Sequence, residues 1–507
     1  MKGVANQFAQ MLWGAKRKGV VGLLTLLFAF EHLCPPCHGL TVETRVLEPR
    51  VRDVWWCGPG HLNEMKQKST PSTTSSTASN FIGCNESNPN RFGCDLEDLV
   101  FTLSLSSTLI VQSPRKEENM KFSFATTRRI LSSLGGSSQA GSIMQELGCR
   151  RVAIVTDKGV RAANLLDAAL ESLEGAGVTC HIYDDVRADP PLADVLEASR
   201  WAKELQVDGV LGIGGGSPLD VAKLIAFLNG DTTQAIDDLW GVGQCKGNRL
   251  PLVQVPTTAG TGSEVTPISI ITTGEGQKKG VVSPQLLPDV AICDGDLTLS
   301  VPRHVTAATG IDAMVHCTEA YTSALLKNPL SDMLAKEGLR LLGANIRAVC
   351  EDGSNREARG KMLLGSTIAG MAFANAPVGA VHALAYPIGA NFKVPHGLSC
   401  CLMLPHVLRF NGALPAADAL YGEILHDAFP HTAAMARDGR SSTELFAAGF
   451  DELAADLGIE TKLTQVGISA ADIDMMAEQA MLQTRLLPNN PRAVSNEDAK
   501  ALYTQAL

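Results

Sequence analysis

The chain has 507 residues, 45% of them hydrophobic and 19% charged, enough for two or three domains and a large buried core. A formal net charge of -10 argues against nucleic acid or an anionic membrane as the main partner, and says nothing against a small neutral substrate. Thirteen cysteines without regular spacing do not suggest a disulfide framework, and Cys34 with Cys37 is a lone CxxC, a weak zinc or redox signal.

Residues 1–119 differ from the rest. Lys2, Lys16, Arg17 and Lys18 precede an apolar run from Val20 to Phe30, and the first acid is Glu31. That run is short for a bilayer span and resembles the apolar part of a cleavable leader or of a composite targeting sequence. Ser69 to Asn80 is almost entirely Ser and Thr, which reads as disordered linker, and Asn85-Glu86-Ser87 fits the glycosylation triplet. The expectation is a disordered leader without chemistry, or upstream sequence joined to a shorter protein that begins near Met120. A basic, acid-poor leader suits an organelle, the mitochondrion first; a start near Met120 implies the cytoplasm.

Residues 120–300 read as an α/β domain with a parallel sheet. An early strand or hairpin is expected within Phe122 to Leu131, and strands over Arg151 to Val155, Val178 to Tyr183, Val210 to Ile213, Leu252 to Val255, Ile268 to Ile271 and Val290 to Cys293. Helical patterns alternate with the early strands, which implies parallel crossovers and helices on both faces. Beyond Pro302 the pattern is helical, with helices expected over Val305 to Ser323, Leu330 to Cys350, Glu357 to Phe373, Thr443 to Leu457 and Ala470 to Leu482. Ser469 with Asp472 and Ser495 with Asp498 mark helix starts. Residues 301–507 thus form an all-α domain.

Three motifs carry chemistry. Gly214-Gly215-Gly216-Ser217-Pro218-Leu219-Asp220 ends a strand and starts a helix, where glycines and free amides suit a phosphate; a ligand-free tight turn is the alternative. Thr257, Thr258 and Ser263 lie in a Gly/Ser/Thr loop after the next strand, a candidate opposite wall of that crevice. Asp312 and His316 lie four apart on one helix face, with Glu319 on much the same side. His382 and His396, from a Gly/Pro-rich segment, complete a candidate site for a divalent transition metal.

The stretches GGGSPLDVAK, PTTAGTGSEVT, GIDAMVHCTEAY and HALAYPIGANFKVPHGLSCCLMLPHVLRFN, in this order and followed by NNPR at Asn489 to Arg492, resemble the iron-containing (group III) alcohol dehydrogenases. The resemblance covers about Met120 to Leu507 and implies a dehydroquinate synthase-like fold. It implies metal ligands at Asp312, His316, His382 and His396, pyrophosphate binding at Gly214 to Ser217 with Asp220 in the same motif, and nucleotide contacts at Thr257, Thr258 and Ser263. Asp157 matches an acid on the adenosine ribose, which favours NAD because a carboxylate repels a 2′-phosphate. Lys279 matches a lysine near the cofactor and Phe373 a wall of the substrate pocket. Tyr386 stands where several members carry a second histidine proposed to relay protons.

The resemblance implies an NAD(H)-linked alcohol dehydrogenase that transfers hydride between an alcohol and an aldehyde or ketone, using Fe(II) or Zn(II), as a homo-oligomer, expected to be a dimer. Two other readings stand beside it: a hydroxyacid–oxoacid transhydrogenase with retained nicotinamide, and a non-catalytic metal-binding protein on a dehydrogenase fold. The sequence alone points to no cation that would hold a carboxylate substrate.

Overall fold

The computed structural model describes residues 121–274, 277–434 and 439–507. The expectations for the leader, its targeting run, its linker and its glycosylation triplet, lie outside the described residues. Residues Phe122–Leu507 form one compact unit.

Its first half runs β1 (Arg129–Ser132), α1 (Ala140–Glu146), β2 (Arg151–Val155), α2 (Lys158–Ala162), α3 (Asp167–Gly175), β3 (Thr179–Tyr183), α4 (Leu192–Glu204), β4 (Gly209–Gly214) and α5 (Gly216–Leu228). It continues through β5 (Gly241–Val242), β6 (Leu252–Pro256), β7 (Ile268–Thr273), β8 (Gln277–Val282) and β9 (Val290–Cys293). Six strands make one sheet in the order β1-β9-β6-β4-β2-β3, every pair parallel. β4 and β6 are buried at every residue, as expected for strands covered on both faces. The chain steps outward from β2 to β3 and then returns to β4 on the other side of β2. The carboxyl ends of β2 and β4 therefore flank a topological switch point, where open α/β sheets bind ligands.

The expected early strand is confined to β1, at the sheet edge. The sequence reading also had no strand at β8, which pairs antiparallel with β7 and parallel with β5 in a second, three-stranded sheet. Its residues, QKKGVV, begin with polar residues and glycine and bury only Val281, so the period-2 signal is weak.

After β9 the fold is helical: α6 (Arg303–Thr322), α7 (Pro329–Glu351), α8 (Arg356–Asn375), α9 (Ala380–Phe392), α10 (His396–Gly412), α11 (Pro415–Ala428), α12 (Pro430–Ala434), α13 (Ser442–Leu457), α14 (Ile473–Met481) and α15 (Asn496–Ala506). Both expected capping boxes are present, with Ser469 and Ser495 hydrogen-bonded to Asp472 and Asp498. The segment read as a Gly/Pro-rich turn between His382 and His396 is mostly helix, α9 and α10, with Pro387 and Pro405 inside them. Interior prolines lower the helical signal without ending either helix here, because neighbouring helices hold both in place. Among the described residues, no single helix is long and apolar enough to cross a membrane.

The NNPR segment explains itself through this packing. A Cβ on Gly379 would lie 3.1 Å from Asn490 Cα, so glycine lets the two backbones pack closely and a larger residue would push them apart by a few tenths of an ångström. Asn489 donates to the Val378 carbonyl, Asn490 exchanges bonds with Asn411 on α10, and Arg492 donates to the Phe410 carbonyl. One short segment thus fixes the start of α9 against α10, the two helices that carry the distal histidines.

Candidate functional site

Helix α6 is buried on nearly every side, so each of its polar groups needs a partner. Asp312, His316 and Glu319 lie 2–6% exposed on the stretch that faces α9 and α10. Glu319 is fully used: it accepts from His382 Nδ1 at 2.6 Å and from the Val381 amide at 2.7 Å. The bond to Nδ1 sets the tautomer that turns the Nε2 lone pair of His382 away from Glu319.

Two buried atoms are left over. Asp312 Oδ1 and His382 Nε2 have no hydrogen-bond partner, although both are sealed from solvent. They lie 3.8 Å apart, and His396 Nε2 lies 3.8 Å from the same Asp312 oxygen. Orphaned acceptors converging from two helices, joined by a second imidazole, fit a divalent cation. The carboxylate and imidazole donors suit Fe(II) or Zn(II).

The group of ligand atoms within 4.8 Å of one another is Asp312, His382, His396 and Cys400. His316, expected as the fourth ligand, stands beside that group. Its Nδ1 contacts the Gly260 carbonyl at 3.2 Å, and its ring stacks between Phe373, at 4.2 Å, and His382, at 4.7 Å. Phe373 is therefore a wall of the histidine cluster. Cys400 went unread in the sequence; its signal is the spacing of four from His396, which puts both on one face of α10. The cluster opens at His396, whose side chain is 33% exposed against 3% for Asp312 and His382. Tyr386 is half-buried, its ring 5.9 Å from that of His396.

Burial dominates the electrostatics. It pushes the Asp312 carboxyl up to about 6, opposed by His382 and by a hydrogen bond from Cys400. Burial and the neighbouring histidines hold His316 and His396 well below the usual imidazole range, so both are neutral and able to ligate. For His382 burial is the largest single influence and lowers the value, but the Glu319 hydrogen bond and the charges of Glu319 and Asp312 together outweigh it and the net shift is upward. Burial likewise raises the Tyr386 phenol and the Cys400 thiol.

The glycine turn and the Gly/Ser/Thr loop come together at the switch point. Thr257 donates its amide to the Gly214 carbonyl, Thr258 packs on Gly215, and a Cβ on Gly216 would meet Thr261 at 2.8 Å. Gly214 has φ +155 and abuts Pro218. Ser217 lies in the first turn of α5, whose free amides face the crevice end of β4. Asp157 lies just past β2, where one carboxylate oxygen caps α2 by accepting from Val160.

Two expected cofactor contacts, Asp220 and Ser263, are occupied within the protein, and a third, Lys279, lies elsewhere. Asp220 accepts from Ser263 Oγ at 2.6 Å and from the Ile270 amide at 2.8 Å, and pairs with Lys223 at 3.4 Å. Lys223 is completely buried and donates to Ser263, Thr266 and the Ile268 carbonyl. Asp220 and Ser263 thus hold the loop in place from beneath. Lys279 points away from the Gly280 face of β8 and lies exposed, its ammonium 5.8 Å above the Trp240 ring. The lysine whose charge reaches His396 is its neighbour Lys278.

The two halves of the site are joined directly, since Gly260 in the Gly/Ser/Thr loop touches His316 on α6. Residues 127–295 match the family described as iron-containing alcohol dehydrogenase, and residues 306–507 match the C-terminal part of the Fe-containing alcohol dehydrogenase family. The chain is 37% identical over 377 residues to long-chain-alcohol dehydrogenase 1 of Geobacillus thermodenitrificans, covering 73% of this chain and 93% of that protein. It superposes on a crystal structure of 1,3-propanediol oxidoreductase with a TM-score of 0.72 at 33% identity, over 76% of this chain and all of that one. A sulfoacetaldehyde reductase from Bifidobacterium kashiwanohense, solved in complex with NAD+, superposes with a TM-score of 0.66 at 27% identity, over 76% and 99%.

Proposed function

Because the chain belongs to the iron-containing alcohol dehydrogenase family, we propose that its cleft interconverts a small alcohol and the corresponding aldehyde or ketone by NAD-linked hydride transfer, with iron held by Asp312, His316, His382 and His396. Members of the family are oxidoreductases acting on alcohols, and the substrate is a small molecule. The observation that carries the reading is the pair of partnerless ligand atoms, Asp312 Oδ1 and His382 Nε2, beside a nucleotide loop that contacts the same helix.

When bound, the ion supplies Lewis-acid polarisation of the substrate oxygen. The chain supplies the rest. The Gly214–Ser217 amides and the Thr257–Thr258 hydroxyls hold the dinucleotide, and Asp157 takes the adenosine ribose. Glu319 fixes the His382 ring. Phe373, stacked on His316, closes the apolar side and excludes water. Tyr386 keeps its proton at neutral pH, because burial pushes its phenol up, and so serves as the proton donor in carbonyl reduction. Zn(II) is the alternative ion, favoured by the soft sulfur of Cys400 at 3.9 Å from His396 Nε2. For residues 1–119, a mitochondrial address is proposed on the basic, acid-poor run alone.

A metal-defined activity screen tests the proposal. Apo-protein reconstituted with Fe(II) or Zn(II) is assayed on short alcohols with NAD and on aldehydes with NADH. Turnover that follows metal occupancy supports it; turnover indifferent to metal, or none on any alcohol or aldehyde, refutes it.

A further inference from the structure

One cation in the cleft has no part in the reading above. Arg485 leaves the turn between α14 and the Leu487–Asn489 segment and crosses to β8. A Cβ built on Gly280 would lie 3.8 Å from its Nη2 and 3.9 Å from its Cζ, so the guanidinium rests on the bare glycine backbone. β8 in turn touches α9, the helix of His382 and Tyr386. Burial is the largest influence on both of those groups; beyond it, Arg485 acts on His382 as a charge and on Tyr386 as a charge and a hydrogen-bond donor.

Among the described residues no carboxylate pairs with Arg485, whose side chain reaches the Gly280 backbone instead. Lys278, two residues before Gly280 and on the same face of β8, is only 10% exposed and also acts on His396, but it is already paired with Asp189. Arg485 is therefore the cation left for a ligand, and it stands out in a chain of net charge -10. A half-buried guanidinium without a counterion is costly, and a neutral alcohol offers nothing to offset it. A planar fork of donors matches a carboxylate or sulfonate.

We propose that Arg485 anchors an anionic tail on the substrate, so that the preferred substrates are short alcohols and aldehydes bearing a carboxylate or sulfonate at the end remote from the reacting carbon. The reacting oxygen then lies toward His396 and the tail toward Gly280, with Tyr386 between them. This rests on the NAD-linked alcohol dehydrogenase reading.

The test uses the metal-loaded full chain and matched aldehydes, succinic semialdehyde against butanal, with NADH as reductant. Wild type should favour the anion by roughly 10- to 100-fold in kcat/KM, the range of a charge-assisted hydrogen bond. R485Q should bring that ratio close to one through a rise in KM for the anion, and R485K should keep part of it. A wild-type ratio near one overturns the proposal without any variant. So does an R485Q ratio equal to wild type, including the case where only the KM for NADH rises, which would assign Arg485 to the cofactor. Turnover of both aldehydes without charge preference refutes only this inference; no NAD-linked turnover of either refutes the dehydrogenase reading as well.

Discussion

Glu319 accepts a hydrogen bond from His382 Nδ1 at 2.6 Å while its other oxygen holds the first turn of α9 through the Val381 amide. One buried carboxylate thus orients the proposed ligand His382 and the helix that carries it. Glu319→Gln should weaken metal binding about 10- to 100-fold, the usual cost of losing a carboxylate behind a ligating histidine. Competition against a chromogenic chelator measures this, and circular dichroism checks that the helices persist. His382→Ala should lose both retained metal and turnover; stoichiometric metal with normal activity in that variant would contradict the ligand assignment.

Metal uptake should depend on pH through Asp312. Burial raises its carboxyl to about 6, so below that value a proton competes with the ion for the same oxygen. His316 and His396, both held low, stay neutral through the same range. Apparent metal affinity should therefore fall as pH drops below about 6 through Asp312, and continue to rise above it as His382, whose imidazole is held above its ordinary range, gives up the proton on its ligating nitrogen. Isothermal titration of the apo-protein between mildly acidic and neutral pH reads this directly, and a flat profile would place Asp312 outside the ligand set.

Lys223 and Asp220 brace the Gly/Ser/Thr loop proposed to hold the nucleotide. Asp220→Ala leaves the Lys223 ammonium in the core without its counterion, a change that costs about 3 kcal/mol or more. Thermal unfolding should show the loss of stability, and the KM for NAD should rise because Ser263 loses its acceptor. Loss of stability with an unchanged KM would mean that the loop does not need this brace.

Much of this site was legible in the sequence. The i,i+4 pair of Asp312 and His316, the glycine turn after β4 and the capped helix starts are local patterns with local causes. The rest depends on tertiary packing. Cys400 and Arg485 acquire meaning only when α10 and the turn after α14 meet α9 and β8. Lys278 and Lys279 show the sharper lesson: without a detectable strand there is no face to assign, and one residue of register separates the side of β8 that carries Gly280 from the side that faces Trp240. Asp220 fits the motif by position, yet its carboxylate is consumed by Ser263, Ile270 and Lys223.

Cofactor choice should follow Asp157. Its Oδ1 caps α2, and serine keeps an N-cap while removing the charge. Asp157→Ser should shift the NADP-to-NAD ratio of kcat/KM toward NADP without a large loss of stability. An unchanged ratio would show that the carboxylate does not face the ribose.

The most direct measurement is the metal content of purified protein alongside its rate of NAD reduction by a primary alcohol, for wild type and for Asp312→Ala. The account predicts one iron or zinc per chain and measurable turnover in wild type, both lost together in the variant. Full turnover in an Asp312→Ala protein free of metal would contradict it.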